Sequence, residues 1–218
     1  MPPLLRYEIA ASDIYSKLKD IPRTGWVIRD VTNPETVYDH TVSLVKLAQE
    51  MQVDLALTDE QLDDLTHILE IHDWAEALAG DEYVENEDQA SYKEKKRLKA
   101  IREREALQQL LQHKPCKAVV ETLFNRYEEG SGEIAKLAKE LDKYQALELA
   151  LQYEQEQGIP LFTEFDDYYK RDWPFSHPAI LERIHNLRTQ HTNTKYTNVA
   201  QHTGWEIGGG EGRYKCCF

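Results

Sequence analysis

The stretch Ile68-Leu-Glu-Ile-His-Asp-Trp-Ala-Glu-Ala-Leu-Ala-Gly-Asp81 decides how the rest of the chain is read. Ahead of it, Thr58 suits an N-cap with Gln61 at the third helical position, and Gly80 suits a stop. The pattern therefore predicts one helix over residues 59–79. Alternating three- and four-residue steps give a core stripe of Leu62, Leu65, Leu69, His72, Glu76 and Ala79. Halfway along, the stripe changes from leucine to ionisable groups, which are costly to bury unless they are paired or hold a metal. Asp73 adds a carboxylate beside the imidazole and Asp81 lies just past the stop. The stretch points to a metal site inside a helical bundle.

Upstream, residues 34–51 predict a helix with Asn33 as cap and Pro34 in the first position. Val37, Leu44, Leu47 and Met51 define its apolar face, and His40 falls on that face. A lone histidine so placed is more often a satisfied core residue than a ligand, but His72 and Asp73 on a second inner face shift the balance. Downstream, residues 133–155 predict a helix on which Asp142 shares a face with Ala135, Ala138, Ala146 and Leu149, small neighbours that leave room. The alternative for Asp142 is a surface pairing with Lys139 or Lys143.

Four further helices complete the pattern. Residues 12–21 follow Ser12 as a cap, with Ile14, Leu18 and Ile21 on one side. Residues 89–112 turn Leu98, Ile101 and Leu110 inward and Lys93-Glu-Lys-Lys-Arg97 to solvent, the reading preferred over a phosphate site. Pro115 opens a helix with Val119, Val120, Leu123, Phe124 and Tyr127 as core candidates, closed by Gly130-Ser-Gly132. Ser176-His-Pro178 starts the last, with Ile180, Ile184 and Leu187 inward. Period-two alternation between turns is missing, so the predicted fold is all-α. Arg23-Thr-Gly-Trp-Val-Ile-Arg-Asp30 reads as a loop that supplies substrate contacts or, alternatively, as a connector with Trp26 plugged into the core. The aromatic stretch at 161–175 is assigned to core and dimer packing rather than to a partner surface.

The 218 residues suit one domain over 1–190 and a polar, Gly-rich tail over 191–218. A formal net charge of −13 disfavours nucleic acid and anionic membranes as partners, yet leaves room for a small nucleotide held by a metal and one or two basic side chains. Three cysteines imply no disulfide framework, and Arg6 and Glu8 interrupt any leader-like apolar run, so the expected location is cytoplasmic. The ending Lys-Cys-Cys-Phe is not a prenylation signal.

His40, His72, Asp73 and Asp142, drawn from three helices, would form a mixed nitrogen and oxygen site suited to cobalt, manganese, iron, nickel or zinc and poor for calcium. Four protein ligands on an octahedral ion leave places for water and substrate. Glu76, one turn beyond His72, stands where it could handle that water's proton. No HExxH, Walker loop, GxSxG or paired CxxC competes with this reading, and His67 points elsewhere.

With these residues in view, the chain resembles the HD-domain metal-dependent phosphohydrolases, above all the small HD proteins that act as nucleoside 5'-monophosphatases (5'-deoxynucleotidases). The matching stretches are Arg23-Thr-Gly-Trp26 with Val27, Pro34-Glu-Thr-Val-Tyr-Asp-His40, His72 through Asp81, Leu123-Phe-Asn-Arg-Tyr-Glu-Glu129 and Leu137-Ala-Lys-Glu-Leu-Asp-Lys143, within residues 12–190. The resemblance implies an HD-domain helical bundle, metal ligation by His40, His72, Asp73 and Asp142, catalysis by Glu76 with Asp81 near the sugar or scissile phosphate, and substrate contacts from Arg23 and Trp26. It also implies a homodimer. Asp39 stands where the family usually has Glu, and residues after 190 have no counterpart. The function implied is removal of the 5'-phosphate from (deoxy)nucleoside monophosphates. The competing readings are hydrolysis of a cyclic nucleotide or nucleoside triphosphate, or a non-catalytic metal-binding regulatory module.

Overall fold

The computed structural model describes residues 5–84, 89–172 and 175–203, and its regular elements are all helices. In chain order they are α1 (Ser12–Leu18), α2 (Thr24–Val27), α3 (Val37–Glu50), α4 (Asp59–Ile71), α5 (Glu76–Ala79), α6 (Gln89–Leu110), α7 (Lys117–Glu129), α8 (Glu133–Gln157), α9 (Phe162–Asp172) and α10 (Pro178–Thr203). Among the described residues the β-pairing is a lone antiparallel bridge between Pro22 and Thr36. None of these helices is long and apolar enough to cross a membrane.

The two helices that deliver the site's first ligands both start at capping boxes. Thr58 caps α4 with Gln61 as its reciprocal partner, as the sequence predicts. α3 starts later than expected, because Thr36 and not Asn33 is its cap. Asn33 instead takes a left-handed φ of 51°, which ends the preceding turn. The Asp39 carboxylate closes this box, accepting from Thr36 N at 3.1 Å and Thr36 Oγ1 at 2.8 Å, which accounts for an aspartate beside His40. Similarly, α1 has Ala11 rather than Ser12 at its N-cap.

The expected single helix over 59–79 is in fact two. From Ile71 the hydrogen bonds tighten to i→i+3: Trp74 N to Ile71 O at 3.1 Å, Glu76 N to Asp73 O at 3.0 Å and Ala77 N to Trp74 O at 3.1 Å. In such a turn side chains three apart eclipse, so Asp73 and Glu76 share a side. Ala79, past the tightened turn, is exposed rather than in the core stripe.

α3, α4 and α8 pack against one another, and α7 packs on α4 and α8. Leu44, Leu65, Leu69, Leu141 and Leu147 are wholly excluded from solvent, each worth about 1.5–3 kcal/mol of transfer free energy. Gly130, at φ 62°, ends α7 in the left-handed conformation and lets α8 return antiparallel beside it. Leu98, Ile101 and Val119 were expected inward and are instead 40%, 38% and 50% exposed. Among the described side chains of α6, Ala106 and Leu107 near its far end are buried, while Val120 rather than Val119 faces the core in α7. The aromatic stretch folds as α9 and buries Phe162 and Tyr169. α10 spans Pro178–Thr203 and so crosses position 190. Trp173, Gly208-Gly-Gly210, Cys216 and Cys217 lie outside the described residues.

Candidate metal centre

His40, fully buried on α3, is oriented by a relay that starts far behind it. Trp26 Nε1 donates to Glu35 Oε1 at 3.2 Å, and the Gln145 amide nitrogen donates to Glu35 Oε2 at 3.0 Å. Gln145 therefore presents its oxygen to His40 Nδ1 at 2.9 Å, which puts the hydrogen on Nδ1 and the lone pair on Nε2. His72 is treated alike, with Nδ1 at 2.8 Å from the Leu69 carbonyl, which can only accept. Both Nε2 atoms are buried and have no hydrogen-bond partner.

Two carboxylates face those nitrogens. His72 Nε2 lies 3.1 Å from Asp73 Oδ2, and His40 Nε2 lies 3.8 Å from Asp73 Oδ2 and 3.2 Å from Asp142 Oδ1. Ligand atoms of His40, His72 and Asp73 come within 4.8 Å of one another. Asp142 is held from behind, its Oδ2 accepting from Tyr127 at 2.8 Å and from Lys143 at 2.8 Å, which leaves Oδ1 for the centre. The Lys143 pairing expected as a surface alternative does form, but on a carboxylate that is itself buried.

The electrostatics match this geometry. Burial opposes a charge on Asp73, yet His72 and Arg23 hold its pKa well below the carboxylate range. Burial likewise opposes ionisation of Asp142, and Lys143 and His40 reverse that. For His72 burial works against protonation, while adjacent Asp73 raises its pKa overall. Glu76 goes the other way: burial, then Asp73 and Asp81, push it well above the usual value against the pull of Arg23 and Lys99. Two buried imidazole nitrogens beside two carboxylates held below their usual pKa fit a divalent metal ion.

Of the other expected site residues, Arg23 joins the cluster, with its guanidinium 3.0 Å from Asp73 Oδ2. Glu76 is 4% exposed and its Oε2 is buried without a partner. Asp81 accepts from Thr24 N at 2.7 Å, and its carbonyl accepts from Thr24 Oγ1 at 2.6 Å, so it ties α2 to the turn after α5. Trp26 is not among them. It is 3% exposed, stacks on Phe165 at 4.7 Å and reaches His40 only through Glu35 and Gln145, the arrangement foreseen as the core alternative. Sequence reasoning missed Glu35, Gln145, Tyr127 and Lys99.

The fold and the cluster define the class: an all-α domain built around a candidate centre for a divalent metal. The chain belongs to the HD-domain family, whose description, HD domain, matches residues 15–183. It is 32% identical over 193 residues to a Mus musculus protein named 5'-deoxynucleotidase HDDC2, covering 86% of this chain and 90% of that protein. A Bos taurus protein of the same name is 33% identical over 182 residues, covering 81% and 82%. The solved structure of a conserved hypothetical protein from Pyrococcus furiosus superimposes with a TM-score of 0.65 at 26% identity, covering 83% of this chain and 99% of that one.

Proposed function

We propose that the chain removes the 5'-phosphate from (deoxy)nucleoside monophosphates, as the names of its relatives suggest. The observation that carries the reading is the convergence of two unpartnered Nε2 atoms and two ionised carboxylates beside Arg23 and a partnerless Glu76 oxygen. His40, His72, Asp73 and Asp142 are the ligands, and the ion is one of cobalt, manganese, iron, nickel or zinc. Such an ion lowers the pKa of a water and draws charge from a phosphoryl oxygen. Arg23 meets the phosphoryl oxygens with its free guanidinium nitrogens, keeping one bond to Asp73. Glu76 takes the attacking water's proton at Oε2, which no group in the protein occupies. Asp81 fixes the Arg23–Thr24 corner and so places Arg23; Trp26 acts at a remove, by bracing Glu35. The homodimer, implied by the family resemblance, and the cytoplasmic location, expected from the cysteine usage, belong to the same reading.

The test is phosphate release from ribo- and deoxyribonucleoside 5'-monophosphates by metal-stripped protein resupplied with cobalt, manganese, magnesium or zinc. Release restored by metal, and absent with cyclic nucleotides and triphosphates, is the expected result. Silence across the monophosphates from protein shown to hold its metal would end this reading. Replacing Gln145 by Met removes the acceptor on His40 Nδ1 without removing a ligand. Metal affinity is then expected to fall by about 10–100-fold, measured by competition with a fluorescent chelator.

A further inference from the structure

We propose that Lys99 is a positioning residue for the hydrolytic step, its ammonium seated between the Glu76 carboxylate and the Glu82 carbonyl so that it fixes the proton-accepting group and the Asp81 loop together. The inference deepens the function proposed above and rests on it.

α6 is a highly charged helix, and Lys93, Glu94, Lys96 and Arg97 on it are exposed. Lys99 departs from that pattern: its side chain is 25% exposed and its Nζ lies 3.0 Å from Glu82 O, 3.4 Å from Glu103 Oε1 and 3.8 Å from Glu76 Oε1. An ammonium drawn out of water needs partners. Besides Glu103 one turn along its own helix, the groups that meet Lys99 come from outside α6: Glu82 O and Glu76 Oε1. Among the described residues, Lys99 is the basic group within 4.0 Å of Glu76, whereas Arg23 is committed to Asp73. The two Glu76 oxygens are thereby told apart: Oε1 faces the lysine, and Oε2 is buried with no partner.

The Glu82 contact extends the effect to the loop. Arg102, three residues along α6, pairs with the Glu82 carboxylate while Lys99 holds its carbonyl, and the preceding Asp81 is anchored to Thr24. One lysine thus links α6 to Glu76 and to the loop that positions Arg23. Facing Glu76 are Asp73 and Arg23 from the metal side and Asp81 from the loop. Lys99 acts on it too, from 3.8 Å, and the lysine's own partner Glu103 has its pKa pushed up to about 7, by burial first and by Asp73.

The experiment compares Lys99→Met, Lys99→Gln, Lys99→Arg, Glu76→Gln and the double variant Glu76→Gln/Lys99→Met, all as full-length, metal-loaded protein. Lys99→Met and Lys99→Gln are expected to lower kcat by about 10–100-fold, with KM and metal content changed less than about twofold, and Lys99→Arg to recover part of the loss. In the Glu76→Gln background the Lys99 substitution should cost little more, because the lysine acts through that carboxylate. A purely structural lysine would give the same proportional loss in both backgrounds, and that result overturns the inference. Wild-type kcat in Lys99→Met and Lys99→Gln beside an inactive Glu76→Gln overturns it while sparing the function proposed. An active Glu76→Gln overturns the role of Glu76 first, and this inference with it.

Discussion

Glu76→Gln is expected to lower turnover by about 100- to 10,000-fold while the protein keeps its metal, the range over which a positioned general base usually contributes. The substitution preserves shape and removes the proton acceptor. It leaves His40, His72, Asp73 and Asp142 untouched, so metal content by mass spectrometry should match the wild type. Stability should move the opposite way. Glu76 has its pKa raised by burial and by Asp73 and Asp81, so the folded state resists its ionisation. A raised folded pKa means stability that is full below the unfolded carboxylate pKa and lost as pH rises through the folded one. Glutamine does not titrate, so metal-free Glu76→Gln should melt higher than metal-free wild type at neutral pH, with the gap closing toward acid. Lost turnover with a gain in thermal stability is the signature of a carboxylate kept for chemistry. Unchanged single-turnover rates would remove Glu76 from the mechanism, and a melting temperature below wild type would make it a structural group.

His72, Glu76 and His40 stood out as candidates because each breaks an apolar pattern at a position facing the core, where an ionisable group needs a reason, and Asp73 because it adjoins His72. Asp142 was legible from its small neighbours. Between Ile71 and Ala77 the i→i+4 bonding gives way to i→i+3 bonds, an interruption that the sequence pattern does not announce. The residues that hold the cluster in place were not legible, because a periodicity reports which face of one helix is inward and not which helices meet. Gln145 lies 105 positions from His40, and its amide is an ordinary polar residue until both are in place. Tyr127 read as core and is buried, but its hydroxyl orients Asp142. Lys99 sat in a run of exposed charges and was indistinguishable from them by composition. Trp26 shows the converse: an aromatic in a matching motif suggested a substrate contact, and it lies buried and stacked on Phe165 with its indole nitrogen bonded to Glu35.

Removing the metal should have the widest effect, because two buried imidazole nitrogens have no hydrogen-bond partner in the protein without it. Asp73 and Asp142 are ionised inside the bundle and two imidazole nitrogens there have no partner, so an ion that binds the folded chain and not the unfolded one should stabilise it strongly. At a free metal concentration one hundred times Kd the gain is about 2.7 kcal/mol. For a chain of this length that corresponds to a melting shift on the order of 5–10 °C. Dialysis against a chelator should therefore lower Tm by that amount and abolish phosphate release, and both should return on adding cobalt or manganese. Asp73→Asn and Asp142→Asn separate the ion's contribution from that of the fold. Each removes a charged ligand and also a carboxylate whose lowered pKa stabilises the folded chain at neutral pH, so the metal-free variant should melt below metal-free wild type while the metal-induced shift is largely lost. A full metal shift in either variant would show that the carboxylate is not a ligand. A shift lost in Asp73→Asn but kept in Asp142→Asn would confine the site to the three groups whose ligand atoms already lie within 4.8 Å of one another.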